Sequence, residues 1–261
     1  MSKVAVVGLG FVGTGMLKLF PGALQIDPPK GTDLGYADTA GCDLAIVCVP
    51  TPMGETGACD TSIVEEVVPQ LRADVILIRS TVAPGTCDRL ASVTGQRIVF
   101  APEYVGESSY FVPAQYLDPQ NPVAHGFMVL GGEDLDCSVV ADLFLPIMGP
   151  TARFRFMSRK EAEIVKYAEN SYFAVKVTFA NQLRQICEAA GANYHRVREG
   201  WLDDPRIGPM HSAAFRRKPG YDGKCLPKDT AALAAYCREI GLAPVLLDAA
   251  IEQNATTLRR T

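Results

Sequence analysis

The segment "KVAVVGLGFVG" (residues 3–13) places a glycine-rich turn directly after a short apolar run. This is the pattern of a buried strand that turns sharply into a helix. Gly8 allows the tight turn, Gly10 lets the backbone approach a pyrophosphate, and Gly13 lets the helix pack closely on the strand. The N-terminus of that helix adds amide donors and the positive end of its dipole. The segment therefore predicts a dinucleotide-binding unit.

The rest of the first half alternates apolar runs of strand length with helical spacers. The further runs are "ALQID" (23–27), "LAIVCVP" (44–50), "VILIRST" (75–81), "RIVFAPE" (97–103) and "HGFMVLGG" (125–132). Continuous runs rich in Val and Ile indicate a parallel sheet that is covered on both faces. We therefore expect an α/β domain, a Rossmann-like doubly wound parallel sheet, over residues 1–157.

Asp27 ends the second of these runs, 19 residues after Gly8. A carboxylate at that position accepts hydrogen bonds from ribose hydroxyls and repels a 2′-phosphate, so it predicts NAD rather than NADP. The alternative is that Asp27 is only a turn residue before Pro28 and Pro29.

The second half has a helical pattern. The segment 158–191 contains neither Pro nor Gly until its last residue. Ser158 and Glu161 fit a capping box and Gly191 fits a C-terminal stop, so one helix of about 30 residues is predicted. It would be the long helix of a helical domain over residues 158–261. Two further helices are expected in that domain, over 227–240 and from near Pro244.

Composition excludes several classes of protein. The 261 residues carry a formal net charge of −4, so no nucleic-acid surface is indicated. No apolar run reaches the roughly 18–20 residues that a membrane span needs, and no signal peptide is visible. The eight cysteines form no CxxC pair and only three histidines are present, so neither a metal site nor a disulfide framework is expected. We predict a soluble, cytoplasmic protein.

Cys225 differs from the other cysteines in its setting, "PGYDGKCLPKD" (219–229). Most of the others fit small buried hydrophobes. Pro227 fits the first turn of a helix, so Cys225 would lie just before a helix N-terminus, a position that favours the thiolate. Asp229 would fall in the first turn, where the alternative role is compensation of the helix dipole.

Other polar residues stand at positions where ligands bind in such folds. Thr81, Glu103 and Glu107 follow predicted strands, at the sheet edge where ligands lie. Lys166 and Asn170 are four residues apart on the long helix and share a face. The alternative for Lys166 is a surface lysine whose stem covers apolar neighbours.

These motifs resemble those of the nucleotide-sugar dehydrogenase family, which includes UDP-glucose 6-dehydrogenase and GDP-mannose dehydrogenase. The motifs that carry the resemblance are "GLGFVG", "VPTP", "STVAPGT", "PEYVGES", "EAEIVKYAENSYFAVKVTFANQ", "DPRIG" and "GKCLPKD". The resemblance implies a four-electron oxidation of the primary alcohol of a sugar nucleotide to a carboxylate, with two NAD used in turn.

The resemblance also implies roles for individual residues. Cys225 would be the nucleophile that attacks the aldehyde intermediate, and Lys166 and Asn170 would stabilise the oxyanion. Asp229 and Glu107, with Thr81, would position water and move protons. The residues implied along the cofactor are Gly8, Gly10, Phe11, Val12, Gly13, Asp27, Thr51, Thr81, Glu107 and Lys228. The residues implied for the substrate are Glu103, Lys166, Asn170, Arg206, Asp222 and Cys225.

The chain departs from the family pattern in two respects. Members usually carry a further C-terminal α/β domain that grips the nucleotide. We expect this chain to lack that domain, although "PVLLDAAIEQNATTLRR" (244–260) resembles the start of the connecting helix. The family usually has a glycine pair before the variable residue and the cysteine, where this chain has Asp222 and Gly223. This substitution, together with a loop from Arg206 to Cys225 that is longer than usual, leaves the identity of the sugar open.

Two alternatives stay open beside the leading hypothesis. A two-electron β-hydroxyacid dehydrogenase would share the architecture but needs no cysteine. An inactive or partner-dependent NAD-binding subunit would retain the motifs without turnover. The resemblance implies a dimer interface on the long helix, and aromatic residues on several of its faces predict a homodimer through it.

Overall fold

The computed structural model of the protein describes residues 2–104 and 125–259. The strands in these residues are β1 (Val4–Val7), β2 (Leu24–Ile26), β3 (Leu44–Val47), β4 (Val75–Ile78), β5 (Ile98–Phe100), β6 (Phe127–Gly131) and β7 (Arg153–Met157). The helices are α1 (Phe11–Leu19), α2 (Ser62–Val67), α3 (Thr86–Thr94), α4 (Asp134–Met148), α5 (Arg159–Ala189), α6 (Tyr194–Leu202), α7 (Leu226–Glu239) and α8 (Val245–Leu258).

The described residues form two compact units. The first contains residues 2–54, 59–104 and 125–166, and it holds the whole sheet. The second contains residues 55–58 and 167–259 and is helical. The first unit has a Rossmann-like α/β fold and the second is helical, which confirms the predicted fold class. The predicted domain boundary at 157/158 stays a prediction.

The sheet has the strand order β2-β1-β3-β4-β5-β6-β7. The first five strands are parallel, and β1 pairs with β2 on one side and with β3 on the other. The strand order therefore switches at β1, because β2 lies on one side of it and β3 on the other. In such folds a crevice opens beside this switch point, at the carboxyl edge of the sheet. Gly8 follows β1 directly, so the glycine turn lies at that edge.

One part of the sheet was not predicted. β6 runs antiparallel to β5, and β7 pairs parallel with β6 at the edge. The sequence of β7 is RFRFM, and its residues are exposed or half-buried. Because charged and apolar residues alternate in it, the sequence does not predict a buried strand. The half-buried residues Phe154 and Met157 of β7 pack against the two cores, one on each face of the sheet.

Alternate residues of the central strands enter separate cores on the two faces of the sheet. Val7 belongs to a cluster that includes Leu90 of α3, whereas Val6 belongs to one that includes Met16 of α1 and Phe144 of α4. Both faces of the sheet are therefore buried, as expected for parallel strands between two helical layers. Each fully buried aliphatic side chain contributes roughly 1.5–3 kcal/mol to folding.

The long helix α5 begins and ends where its sequence predicts. The Ser158 amide donates to the Glu161 carboxylate at 2.8 Å, and the Glu161 amide donates to the Ser158 hydroxyl at 3.3 Å, which completes the capping box. At the other end, Gly191 adopts φ +68°, and the Ala192 amide donates to the Cys187 carbonyl at 2.8 Å. The predicted helices at 227–240 and from near Pro244 are confirmed as α7 and α8.

α6 was not predicted from the sequence. Its N-terminus is capped by Asn193, whose Oδ1 accepts from the amides of His195 at 2.9 Å and Arg196 at 3.3 Å. Across residues 2–104 and 125–259, no helix is both long and apolar enough to cross a membrane.

Candidate active site

The glycine turn after β1 leaves no room for side chains at two of its three glycines. Gly8 has φ +87°, and a methyl group there would lie 2.8 Å from the Cys48 carbonyl carbon. A methyl group at Gly13 would lie 1.9 Å from the Gly8 carbonyl oxygen. Around Gly10, by contrast, no atom lies within 4 Å of that position, so the outer face of the turn is open. The loop therefore fits a pyrophosphate laid against its backbone at the start of α1.

Asp27 lies beside that turn. Its Oδ2 accepts a hydrogen bond from the Leu9 amide at 2.8 Å, so the carboxylate is fixed against the glycine loop. Lys30 donates from Nζ to the Leu9 carbonyl at 2.6 Å, and this Nζ lies 3.6 Å from Asp27 Oδ2. The short spacing from Asp27 gave no reason to place Lys30 at the loop, and its contacts there are a finding of the structure.

The other predicted cofactor residues of the first unit are spread along the same edge of the sheet. Phe11 opens α1 and is 48% exposed, and Val12 follows it half-buried. Thr51 and Thr81 come shortly after β3 and β4 and are half-buried. The Cys59 thiol donates to the Thr81 carbonyl at 3.3 Å. Glu107 lies outside the described residues.

Lys166 is buried, with 7% of its surface exposed. Its Nζ donates to the Glu103 carbonyl and lies 5.8 Å from the centre of the Tyr104 ring. The alternative of a solvated surface lysine is therefore wrong. A cation held away from water acts strongly on nearby charge, because the local dielectric constant is low.

Glu163, one turn before Lys166, fixes the segment that follows Thr81. It is fully buried, and its two carboxylate oxygens accept from the amides of Gly85 at 2.5 Å and Cys87 at 2.8 Å. Burial raises the pKa of the Glu163 carboxyl, and the hydrogen bonds from Cys87 and Gly85 oppose that rise. A carboxylate from one helix thus caps the N-terminus of α3, a long-range contact that no local pattern indicates.

In the second unit, Cys225 is the residue directly before α7. It is exposed, whereas the seven other cysteines are buried or half-buried. Its carbonyl accepts from the Asp229 amide at 2.9 Å, and Pro227 stands in the first turn. The predicted placement at a helix N-terminus is confirmed.

Asp229 is held by two donors. It is 1% exposed, Asn170 Nδ2 donates to its Oδ2 at 2.5 Å, and Lys228 Nζ donates to its Oδ1 at 2.6 Å. The carboxylate therefore does more than compensate the dipole of α7, because it orients the Asn170 amide. The second unit brings Asn170, Lys228 and Asp229 together at the start of the helix that Cys225 precedes.

Two predicted substrate residues do not join this buried cluster. The Arg206 side chain is 87% exposed and pairs with Asp204, with Nε 2.9 Å from Oδ1. The Asp222 side chain is 59% exposed and lies 3.5 Å from Lys218 Nζ.

Sequence reasoning missed His211, which lies in the loop before Cys225. It is the one non-glycine residue with positive φ (+61°) in the part of the chain that the structure describes. Its ring stacks on Phe173 with the ring centres 4.1 Å apart. Burial lowers the pKa of His211 to about 4, and the charge of Lys176 adds to the effect. A strained backbone of this kind occurs more often at functional sites than elsewhere.

Both units match models of one protein family. Residues 32–140 match the NAD binding domain of the UDP-glucose/GDP-mannose dehydrogenase family, and residues 160–256 match its central domain. The chain belongs to the UDP-glucose/GDP-mannose dehydrogenase family. The match to the NAD binding domain confirms NAD as the predicted cofactor.

A curated relative from this family is a UDP-glucose 6-dehydrogenase from Haloferax volcanii. It is 30% identical over 241 residues, which cover 84% of this chain and 54% of that protein. The chain spans about half the length of the curated relatives it matches.

Solved structures share the fold. A UDP-glucose dehydrogenase from Pyrobaculum islandicum matches with a TM-score of 0.80 and 23% identity, over 98% of this chain and 68% of that chain. A 3-hydroxyisobutyrate dehydrogenase from Mycobacterium tuberculosis matches with a TM-score of 0.70 and 17% identity, over 98% of this chain and 93% of that chain. The fold alone therefore does not distinguish a UDP-glucose/GDP-mannose dehydrogenase from a β-hydroxyacid dehydrogenase, and the matches to the two family models make that distinction.

Proposed function

We propose that this chain carries the catalytic residues of an NAD-dependent dehydrogenase that oxidises the primary alcohol of a UDP-glucose-like sugar nucleotide to a carboxylate. The observation that carries the proposal is the placement of Cys225, exposed at the N-terminus of α7. The same helix start holds the buried Asn170–Asp229 pair. A two-electron alcohol oxidation needs no thiol, whereas oxidation of an aldehyde to an acid proceeds readily through a covalent sulfur adduct.

Cys225 is the nucleophile in this proposal. Its thiolate attacks the aldehyde carbon and forms a carbon–sulfur bond, which gives a thiohemiacetal. NAD, when bound, accepts a hydride in each of the two oxidations. The resulting thioester is hydrolysed by water, which releases the carboxylate and returns the thiolate. The amides at the start of α7 favour the charged form of the sulfur.

Lys166 and Asn170 are assigned to the oxygen on which negative charge develops. Both present N–H donors, and both are held in place before the reaction, Lys166 by the Glu103 carbonyl and Asn170 by Asp229. Donors that are already oriented stabilise developing charge without a cost of reorganisation. Asp229 takes one N–H of the Asn170 amide, and we assign the second N–H to the oxyanion.

The remaining predicted residues keep their roles in the proposal. Asp229, Glu107 and Thr81 position water and move protons. The residues assigned to NAD are Gly8, Gly10, Phe11, Val12, Gly13, Asp27, Thr51, Thr81, Glu107 and Lys228. The residues assigned to the sugar nucleotide, besides Lys166, Asn170 and Cys225, are Glu103, Arg206 and Asp222.

The number of NADH formed per substrate tests the proposal. NADH is measured across a panel of sugar nucleotides and free sugars, and the oxidation level of the product is determined. We expect two NADH and a carboxylate for each sugar nucleotide consumed. One NADH per substrate would support a β-hydroxyacid type of dehydrogenase instead, and no turnover with any substrate would support an inactive subunit.

Asp27 is expected to select NAD over NADP. Its carboxylate lies against the glycine loop and would repel a 2′-phosphate, so NAD should bind at least about tenfold more tightly, or about 1.4 kcal/mol. Asp27→Asn should lower the ratio of the affinity for NAD to the affinity for NADP. Asp33→Asn is the matched control, because Asp33 is an exposed carboxylate nearby. Calorimetric titration measures both affinities, and equal affinities in the wild type would contradict the assignment.

We also propose that the chain forms a homodimer through α5. Tyr172, Phe179 and Ile186 are spaced seven residues apart on this helix and are 61%, 51% and 58% exposed. Residues at this spacing form one apolar stripe, as in helices that pack against a partner. Light scattering at micromolar concentration should give a dimer, and Phe179→Glu should give a monomer.

Ile240→Glu is the control for the dimer experiment. Ile240 is also 51% exposed, but it directly follows α7 and is not part of the α5 stripe. This variant should remain dimeric. A monomeric wild type, or loss of the dimer in both variants alike, would count against an interface on α5.

A further inference from the structure

A side chain of α8 binds the backbone of the loop that leads to Cys225. Asn254 is 7% exposed. Its Oδ1 accepts from the Tyr221 amide at 2.9 Å, and its Nδ2 donates to the Tyr221 carbonyl at 2.8 Å. One amide group thus satisfies both backbone polar groups of Tyr221, a buried residue four positions before Cys225. We call this pair of hydrogen bonds the Asn254 clasp.

Gly220 makes the clasp possible. It adopts φ +70°, and a methyl group there would lie 2.5 Å from Asn254 Oδ1. A side chain at residue 220 would therefore both strain the backbone and push the amide away. Gly220, the first glycine of "PGYDGKC" (219–225), is therefore required by a contact with α8.

The segment between the clasp and α7 is held at both ends. Residues 222–225 are exposed, and Gly223 adopts φ +82°. Before them stands Tyr221 in the clasp. After them, Asp229 accepts from Asn170 and donates its own amide to the Cys225 carbonyl. The two anchors therefore fix both ends of this exposed segment.

We propose that Asn254 is a positioning residue that fixes the segment carrying Cys225. The inference rests on the proposed function of Cys225, and Asn254 acts through the loop without touching substrate. Without the clasp, the buried N–H and C=O of Tyr221 lose their partners, and a buried polar group left unpaired is destabilising. The segment would then relax to other conformations, and a small displacement of a nucleophile lowers its rate of attack strongly.

The experiment compares three variants in α8. Asn254→Leu has a similar shape but forms neither hydrogen bond, and Asn254→Asp keeps the acceptor but loses the donor. Thr257→Val is the matched control, because Thr257 is 2% exposed and its hydroxyl donates within its own helix, to the Gln253 carbonyl.

Amide hydrogen exchange and steady-state kinetics are measured on each variant. In Asn254→Leu, exchange of the amides of residues 221–224 should accelerate at least about tenfold, while α8 exchanges as in the wild type. The kcat should fall at least about tenfold, with the KM for NAD within about twofold, because the glycine turn assigned to NAD lies in the other unit. Asn254→Asp should show the same changes to a smaller or equal extent, and Thr257→Val should show neither.

Gly220→Ala gives a second route to the same result if Asn254→Leu folds poorly. Gly220→Ala breaks the clasp from the loop side. Its effect on kcat should therefore not add to the effect of Asn254→Asp when both changes are combined in a double variant. Full additivity would overturn the inference. So would unchanged exchange at residues 221–224, or faster exchange throughout α8, which would indicate a role in helix stability only.

The exchange readout needs no substrate, so it separates this inference from the proposed function. Local loosening together with full turnover in Cys225→Ser would mean that the clasp holds a loop whose cysteine is not the nucleophile, which overturns the catalytic part of the inference. Turnover that depends on Cys225, with exchange and kcat unaffected by Asn254→Leu, would leave the function standing and refute the clasp.

Discussion

Replacement of Cys225 by serine is expected to lower NADH formation on the sugar-nucleotide substrate by on the order of 1000-fold. Serine keeps the shape of the side chain, but its hydroxyl does not ionise at neutral pH without an adjacent base, so it cannot form the adduct at a comparable rate. The first oxidation does not need the thiol, but turnover stalls at the bound aldehyde, so only a trace of aldehyde or a stalled adduct is expected. The wild type should form two NADH per substrate.

Two controls make this result specific. Cys237→Ser changes a half-buried cysteine of the same helix and should leave turnover intact. Cys225→Ser should bind NAD as the wild type does, because the glycine turn lies in the other unit. Unchanged turnover in Cys225→Ser would refute the covalent mechanism and favour a two-electron dehydrogenase.

Local sequence patterns were sufficient for those parts of the fold that local chemistry decides. Ser158, Glu161 and Gly191 cap the long helix within a few residues of its ends, so the prediction of α5 needed no tertiary information. Gly8 and Gly13 after β1 are required by backbone contacts a few ångströms away. Cys225 was located at a helix start because Pro227 marks a first turn.

What the sequence could not indicate depends on contacts between distant residues. The reversed direction of β6 is decided by pairing between strands, and the strand residues themselves read the same in either direction. Glu163 reaches amides 76 and 78 residues away, and Asn254 reaches a backbone group 33 residues away. A single glutamate or asparagine on a helix gives no sign of such a partner.

The candidate site was only partly predictable, because it is also assembled by contacts between distant residues. Asn170 and Asp229 were singled out separately, from helix spacing and from position in the first turn of α7. Their hydrogen bond joins residues 59 positions apart and becomes visible only in the folded chain. The sequence alone left Lys166 open as a surface lysine or a site residue. Its burial excludes the surface alternative, and its role in a site stays a prediction.

Lys166→Met is expected to lower kcat by about 100- to 1000-fold, or about 3–4 kcal/mol, the usual loss when one preorganised donor to an oxyanion is removed. Methionine keeps an unbranched apolar stem and removes the charge, so the change tests the cation and leaves the packing nearly intact. Lys166→Arg keeps the charge, but its planar group does not reproduce the geometry of an ammonium, so it should restore activity only in part.

The matched control for Lys166 is Lys160→Met. Lys160 is exposed in the first turn of the same helix, so its charge is screened by solvent and its loss should leave kcat within about twofold. NAD affinity and thermal unfolding are measured for both variants, because Lys166 also bonds the Glu103 carbonyl and its loss carries a stability cost. A fall in kcat with NAD affinity retained would place the effect in the transition state. If Lys166→Met were folded and active within about threefold of the wild type, its buried cation would be a structural partner of the Glu103 carbonyl, and the oxyanion role would pass to Asn170 alone.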